Sequence, residues 1–374
     1  MKKKIAVIGV GGGGSITALN YYLQGKDDFE IDVYYDPYHH PIEKVGQGTT
    51  REVTDLITRA LECNWYDNPL RATLKTGILY ENWGKINKEI FHPFYYMAGT
   101  AMHFGPSFLA DAVINFEHFN VHEQEVSDPE REIDADFIFD CRGKDERDLN
   151  LYEPLTSPLN SVLLARSKGS DPKQTYTRSV ATSNGWAFVI PEPDSTAYGY
   201  MYKKEITTKD EAKKDFFNNL LIPNAKEEFK FDGGFSFENY VAKSIFTGER
   251  TILNGNRHSF LEPLEATSLA TYLTVARGAY MHIVEGVSKE EVDNQILSYV
   301  KQVEKFILWH YQRGSAFDTP FWSYAKLLPF QMDLEFESCL ASDFGAVKNY
   351  GQWDSRSFKI WDEATKEQEV ETCQ

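Results

Sequence analysis

The sequence predicts an α/β chain with three parts: a Rossmann-type βαβ unit at the start, an antiparallel sheet in the middle and helices at the end. Three observations carry that prediction. A β-branched apolar run at 4–8 leads through Gly9-Val10-Gly11-Gly12-Gly13-Gly14 into an amphipathic stretch at 15–23. Between 160 and 202 the chain alternates as antiparallel strands do, as in Trp186-Ala187-Phe188-Val189-Ile190. Beyond Ser288, apolar residues recur at helical spacing.

The first run is long enough for one buried parallel strand. Gly9, Gly11 and Gly14 fit Gly-x-Gly-x-x-Gly between a strand and a helix. There glycine permits a tight turn, backbone approach to a pyrophosphate and close helix–strand packing. The helix start adds free N–H groups and positive dipole. A second strand at 31–35 ends at Asp36, placed to accept from a ribose hydroxyl. A glycine-rich turn without ligand has the same letters, but strand, helix and acid together favour a dinucleotide. The motif leaves FAD and NAD both open.

A loop follows at 37–50, ending in Val45-Gly46-Gln47-Gly48-Thr49-Thr50, and then a helix at 52–61. A single strand is expected over 73–80, containing Lys75, and a helix over 104–116. A strand at 136–140 closes on Cys141-Arg142-Gly143. Thr208 with Glu211, and Ser288 with Glu291, form capping boxes for two helices. The second helix runs toward His310 with Val292, Ile296, Val300, Val303 and Ile307 on one face. A helix at 269–280 precedes it, and 365–374 reads as a frayed polar end. With no repeat, low-complexity block or linker, the elements are expected to interleave into one body.

At 374 residues there is ample core. A net charge of −17 argues against nucleic acid or an anionic membrane as partner. Cys63, Cys141, Cys339 and Cys373 lie far apart, so neither a disulfide framework nor a zinc site is expected. The histidines show no metal-ligand spacing, and His39-His40 reads as a surface loop pair. Lys2-Lys3-Lys4 resembles a signal-peptide start, but the glycines interrupt the apolar stretch behind it, and no apolar run would span a bilayer. A cytoplasmic location is expected.

Further segments match one family in order and spacing. They are the glycine loop, Gly46-Gln47-Gly48-Thr49-Thr50, Leu74-Lys75-Thr76, Asn82-Trp83 and Asp140-Cys141-Arg142-Gly143. They continue with Gly185-Trp186-Ala187-Phe188-Val189-Ile190-Pro191, Phe260-Leu261-Glu262-Pro263-Leu264-Glu265-Ala266-Thr267 and Asp318-Thr319-Pro320-Phe321-Trp322. On these residues the chain resembles the flavin-dependent halogenases of the tryptophan-halogenase type, and in size a compact, phage-encoded branch. The resemblance implies an FAD-binding, flavin-monooxygenase-like fold. FAD-binding core would span 1–290, with a substrate-side sheet interleaved at about 151–240, and a helical part would span 291–374.

The resemblance also implies the chemistry. FADH2, oxygen and halide yield hypohalous acid, which travels to a lysine beside an electron-rich aromatic. Lys75 maps to that lysine and Glu265 to the family's functional carboxylate. Gly9, Gly11, Gly14, Asp36, Gly48 and Thr49 map to FAD binding, Thr267 and Ser268 to the halide site. Trp186 and Phe188 would wall the passage, and His92 and Phe94 would lie beside the substrate. Each has a plain structural reading too: Lys75 as a solvated strand lysine, Glu265 as a helix-start acid, Trp186 and Phe188 as in-facing neighbours two apart.

Two departures stand out. Phe188 replaces the second tryptophan of Trp-x-Trp-x-Ile-Pro, and Ser268 stands where the family has glycine. The chain is also shorter than a typical tryptophan halogenase, in the C-terminal part that closes over indole. A more open site for varied or larger aromatics is therefore expected, with bromide or iodide favoured over chloride. No second glycine fingerprint and no Asp-Gly motif of the pyridine-nucleotide-dependent hydroxylases is found, so a separate flavin reductase is expected to supply FADH2. Self-association is left open. Two competing readings remain: an aromatic hydroxylase and a flavin-binding protein without turnover.

Overall fold

The computed structural model describes residues 2–38, 45–85, 87–94, 100–219, 229–342 and 348–366. His39-His40 and Cys373 fall outside the described residues.

Lys3–Ile8 sits at the centre of a five-stranded parallel sheet. Its order is Thr251–Leu253, Phe137–Asp140, Lys3–Ile8, Phe29–Tyr35, Asn120–Glu123. Strands from distant parts of the chain therefore interleave in one layer. The glycine helix, Gly12–Gln24, starts earlier than its apolar spacing suggests and takes three glycines into its first turn. The reason is crowding. A Cβ at Gly14 would lie 1.8 Å from the Gly9 carbonyl oxygen, and one at Gly13 would lie 2.4 Å from Gly255 Cα. No larger residue lets the helix come this close.

The second large sheet has seven strands, ordered Phe229–Ser236, Ser161–Lys168, Ser195–Tyr202, Gly185–Pro191, Thr177–Thr182, Gly77–Glu81, Glu89–Pro93. It is antiparallel except where Thr177–Thr182 meets Gly77–Glu81. Two of its strands thus precede the span assigned to it from sequence.

The single strand expected over 73–80 is two. Thr73–Lys75 joins a small sheet with Ala101–Phe104 and Gln47–Gly48, while Gly77–Glu81 joins the large one. Thr76 is the crossing point: its N–H donates to the Thr175 carbonyl and its own carbonyl accepts from Phe94. The first capping box forms in full and the second through its serine half. Thr208 and Glu211 exchange bonds of 3.3 and 2.8 Å, and Ser288 Oγ accepts from the Glu291 N–H at 3.2 Å.

The two largest cores follow from this layout. One packs the parallel sheet beneath the glycine helix, Arg51–Ala60 and Ser268–Glu285. The other packs one face of the seven-stranded sheet against Lys289–Arg313, Pro320–Lys326, Leu334–Ala341 and Ser355–Thr365. Among the described residues no helix is long and apolar enough to cross a membrane.

Candidate functional site

The glycine turn opens onto a cavity of about 530 Å³ lined by Gly9, Gly11, Asp36, Arg142, Asn256 and Tyr272, among others. Gly9 has φ +95°, a conformation that glycine adopts without strain. Asp36 Oδ1 accepts from the Tyr38 N–H at 2.8 Å. Gly14 does not line this cavity; it lets the helix pack on Gly9.

A second cavity, about 640 Å³, adjoins the first at Asn256 and Tyr272, which line both. Its walls are largely apolar: Ile78, Leu164, Trp186, Phe188, Met201 and Leu264, with Gly48 and Ser268 at the edge. A polar, glycine-lined chamber beside an apolar slot suits a dinucleotide carrying a large planar ring system. A Cβ at Gly46 would come within 2.7 Å of Glu192 Oε1, so a larger residue beside the slot would push the Glu192 side chain aside.

Lys75 is fully buried. Its Nζ donates to the Thr49 carbonyl at 3.1 Å and lies 5.0 Å from the centre of the Phe94 ring. Burial lowers its pKa to about 7, against the opposing charge of Glu265. The plain reading of a solvated strand lysine is therefore excluded by its zero exposure. A Cβ at Gly48 would meet Lys75 Nζ at 3.0 Å, so glycine there keeps the amine's place open. The structure does not bring the Thr49 side chain to the cavity. Its hydroxyl lies against Thr54 and the Met102 carbonyl, and its contribution is the carbonyl that holds Lys75.

Glu265 is 4% exposed and is held by three donors. Tyr80 donates to Oε1, His310 Nε2 stands 2.7 Å from the same oxygen, and Trp353 Nε1 donates to Oε2 at 3.1 Å. His310 Nδ1 is 2.7 Å from the Phe306 carbonyl, so each ring nitrogen faces an oxygen. Burial alone would raise the carboxyl's pKa. The bond and charge of His310, with His92 and Tyr80, overcome that and hold it at about 2. Glu265 is thus an anion in an aromatic box. Neighbouring Ala266 has φ +52°, a strained value for a residue with a side chain, in the turn that presents this carboxylate.

Thr267 caps the helix Ser268–Glu285, and its buried Oγ1 has no hydrogen-bond partner among the described residues. Ser268 borders the apolar slot at the helix start, where N–H groups lack intrahelical acceptors. Trp186 and Phe188 both line the slot from one strand. His92 Nε2 lies 2.9 Å from Ser357 Oγ, and burial lowers the His92 pKa.

The letters did not single out Tyr80, His310 or Trp353, which hold Glu265, nor Glu262. That second buried carboxyl accepts from Tyr311 and from Ser157, the latter at 2.6 Å. Burial raises its pKa to about 7 against those two bonds. Two acids three apart on one short turn were the available signal.

A sequence profile of the tryptophan halogenase family matches residues 4–120 and 116–365. The chain is similar to the tryptophan 7-halogenase KtzQ of Kutzneria sp. (strain 744), 23% identical over 272 residues, 63% of this chain and 49% of KtzQ. It is also similar to the tryptophan 7-halogenase RebH of Lentzea aerocolonigenes, 24% identical over 217 residues, 53% of this chain and 39% of RebH. The matched stretches thus span less than half the length of these relatives. In fold it is similar to the tryptophan 6-halogenase SttH of Streptomyces toxytricini, with a TM-score of 0.80 and 16% identity over 97% of this chain and 90% of that one. The flavin-dependent halogenase BrvH of Brevundimonas sp. BAL3 gives 0.80 and 17% over the same shares.

Proposed function

The chain belongs to the tryptophan halogenase family, and from that premise we propose that it is a flavin-dependent halogenase acting on electron-rich aromatics. The observation that carries this reading is the fully buried Lys75 amine, lowered to about 7 and electrostatically coupled to the Glu265 anion, behind the Gly48 edge of the apolar slot.

FAD fits the two joined cavities. Gly9, Gly11 and Gly14 would shape the pyrophosphate turn, Asp36 would take a ribose hydroxyl, and Gly48 would border the ring system. Reduced by a separate flavin reductase, the bound cofactor would supply with oxygen the two-electron oxidation of halide to hypohalous acid. The N–H groups at Thr267 and Ser268 would hold the halide, bromide or iodide ahead of chloride because these are easier to oxidise.

At a pKa of about 7 both forms of Lys75 are present near neutral pH. The ammonium donates to the oxygen of hypohalous acid. The free amine attacks the halogen, forming N–X and releasing water. Transfer of that halogen to the ring leaves the nitrogen one proton short; Glu265 accepts the ring proton and passes it on to that nitrogen, so that amine and carboxylate are both restored. Thr49 holds Lys75 through its carbonyl. Trp186 and Phe188 keep the aromatic away from the cofactor, with His92 and Phe94 on the substrate side. In this reading residues 1–290 form the FAD core, and His310 and Trp353 of the C-terminal part at 291–374 hold the carboxylate.

The test is product analysis by mass spectrometry with reductase, NADH, FAD, oxygen and bromide or iodide, over a panel of indoles and phenols. Halogenated product from wild type, lost in Lys75→Ala while FAD still binds, is the expected outcome. Hydroxylated product would make the protein a monooxygenase instead. Flavin binding without turnover would leave a carrier. Unchanged halogenation in Lys75→Ala would remove the lysine from the mechanism.

A further inference from the structure

We propose that Glu262 and Tyr311 are positioning residues that aim the indole of Trp186 at the apolar slot. The inference rests on the flavin reading above for what occupies the slot.

Trp186 is fully buried yet lines the slot, so its ring plane helps set the slot's shape. Its Nε1 donates to Tyr311 Oη at 2.7 Å. An indole N–H only donates, so Tyr311 must send its own proton elsewhere, and Glu262 Oε1 receives it. At the other oxygen, Ser157 Oγ lies 2.6 Å away while accepting from the Leu159 N–H at 3.1 Å, which leaves the Ser157 proton for Glu262. The bonds from Trp186 to Tyr311 and from Tyr311 to Glu262 therefore each have one direction.

Around Tyr311 the neighbours are rings: Trp83 at 5.5 Å and Trp322 at 6.0 Å between centroids. Filling this volume needs no carboxylate, and a buried acid is costly unless its bonds are all made. What the acid adds is orientation, because Tyr311 can accept the indole proton only while its own hydroxyl points at Glu262. His310 and Tyr311 are consecutive on Lys289–Arg313, so one helix grips both Glu265 and the acid that aims the wall tryptophan.

The test is a mutant cycle on the full chain, with Tyr311→Phe, Trp186→Phe and the pair, read in two ways. The first is the fluorescence lifetime of bound oxidised FAD, which a nearby indole quenches according to distance and orientation. The second is hydrogen peroxide released per oxygen consumed during turnover. Tyr311→Phe is expected to lengthen the lifetime and raise the peroxide share by about fivefold or more, as loss of one buried hydrogen bond allows. In a Trp186→Phe background it should change neither. Glu262→Gln, whose amide oxygen still accepts from Tyr311, should stay within about twofold of wild type; Glu262→Leu should behave as Tyr311→Phe and gives a second route to the cycle. Equal effects of Tyr311→Phe in both backgrounds would reduce Tyr311 to packing and overturn the proposal. If wild type forms no halogenated product while the lifetime cycle still closes on Trp186, the halogenase reading falls and the aiming role stands.

Discussion

His310 Nε2 lies 2.7 Å from Glu265 Oε1, joining the long C-terminal helix to the turn that opens Ser268–Glu285. Both groups are buried, so the pair has little water to screen it. It explains how a carboxylate keeps its charge within an aromatic box.

Glu265→Gln removes one partner of that pair and leaves the imidazole facing an amide. A destabilisation of about 3 kcal/mol is expected, the range found when a buried pair loses one member. Turnover should fall about a hundredfold or more if the carboxylate takes the ring proton. The Glu265 pKa is held at about 2, below the ordinary 4.5, so its stabilisation is fully present above about pH 4.5 and is lost as pH falls toward 2. Acid titration of the melting temperature should show that loss in wild type and not in the variant.

Lys75→Met tests the buried amine in the opposite sense. The folded-state value of about 7 lies below the ordinary 10.5, so between them the unfolded chain holds a proton that the folded chain has released. Wild-type stability therefore rises with pH across that window. The variant lacks this dependence. Its advantage should be a few kcal/mol below pH 7 and shrink toward pH 10.5, while halogenation is lost at every pH. Denaturant midpoints at pH 7 and pH 10 decide it; a pH-independent difference would mean that the amine is solvated.

Much of this site was legible because its residues are held by local chemistry. Gly9, Gly11 and Gly14 announce a crowded turn, and the acid at Asp36 follows the second strand as the motif requires. The break at Thr76 was not legible, since 73–80 has uniform β character and only the pairing partners, Ala101–Phe104 on one side and Glu89–Pro93 on the other, divide it. His310 escaped notice for a similar reason. On a helix read by periodicity it follows Trp309 as one more core position, and only the packing of that helix shows that it meets an acid 45 residues upstream. For Thr49 the letters do not tell which way the side chain turns: Gly48 lies at the slot while the Thr49 hydroxyl points inward to Thr54.

Gly199→Ala should disturb the slot from behind. Phe188 and Gly199 face each other across neighbouring strands, and a Cβ at Gly199 would lie 2.0 Å from Phe188 Cζ. The ring must therefore swing away. A destabilisation of about 1–3 kcal/mol is expected from such overpacking, together with weaker FAD binding measured by flavin fluorescence titration. Unchanged affinity would show that the ring has room to move without entering the slot.

Ser268→Gly restores the glycine that the family carries at the start of this helix. Ser268 borders the slot, so its Cβ and hydroxyl occupy space beside the helix's unpaired N–H groups. Removing them leaves the N–H groups open to the smaller, more strongly hydrated chloride ion. With equal chloride and bromide in one reaction, the chlorinated share of product should rise by roughly severalfold, while stability falls by less than about 1 kcal/mol, as for a helix glycine. A product ratio that does not move would place the halide away from this helix start. A rise that persists in Thr267→Ala would assign the effect to the backbone N–H groups and not to the buried Thr267 hydroxyl.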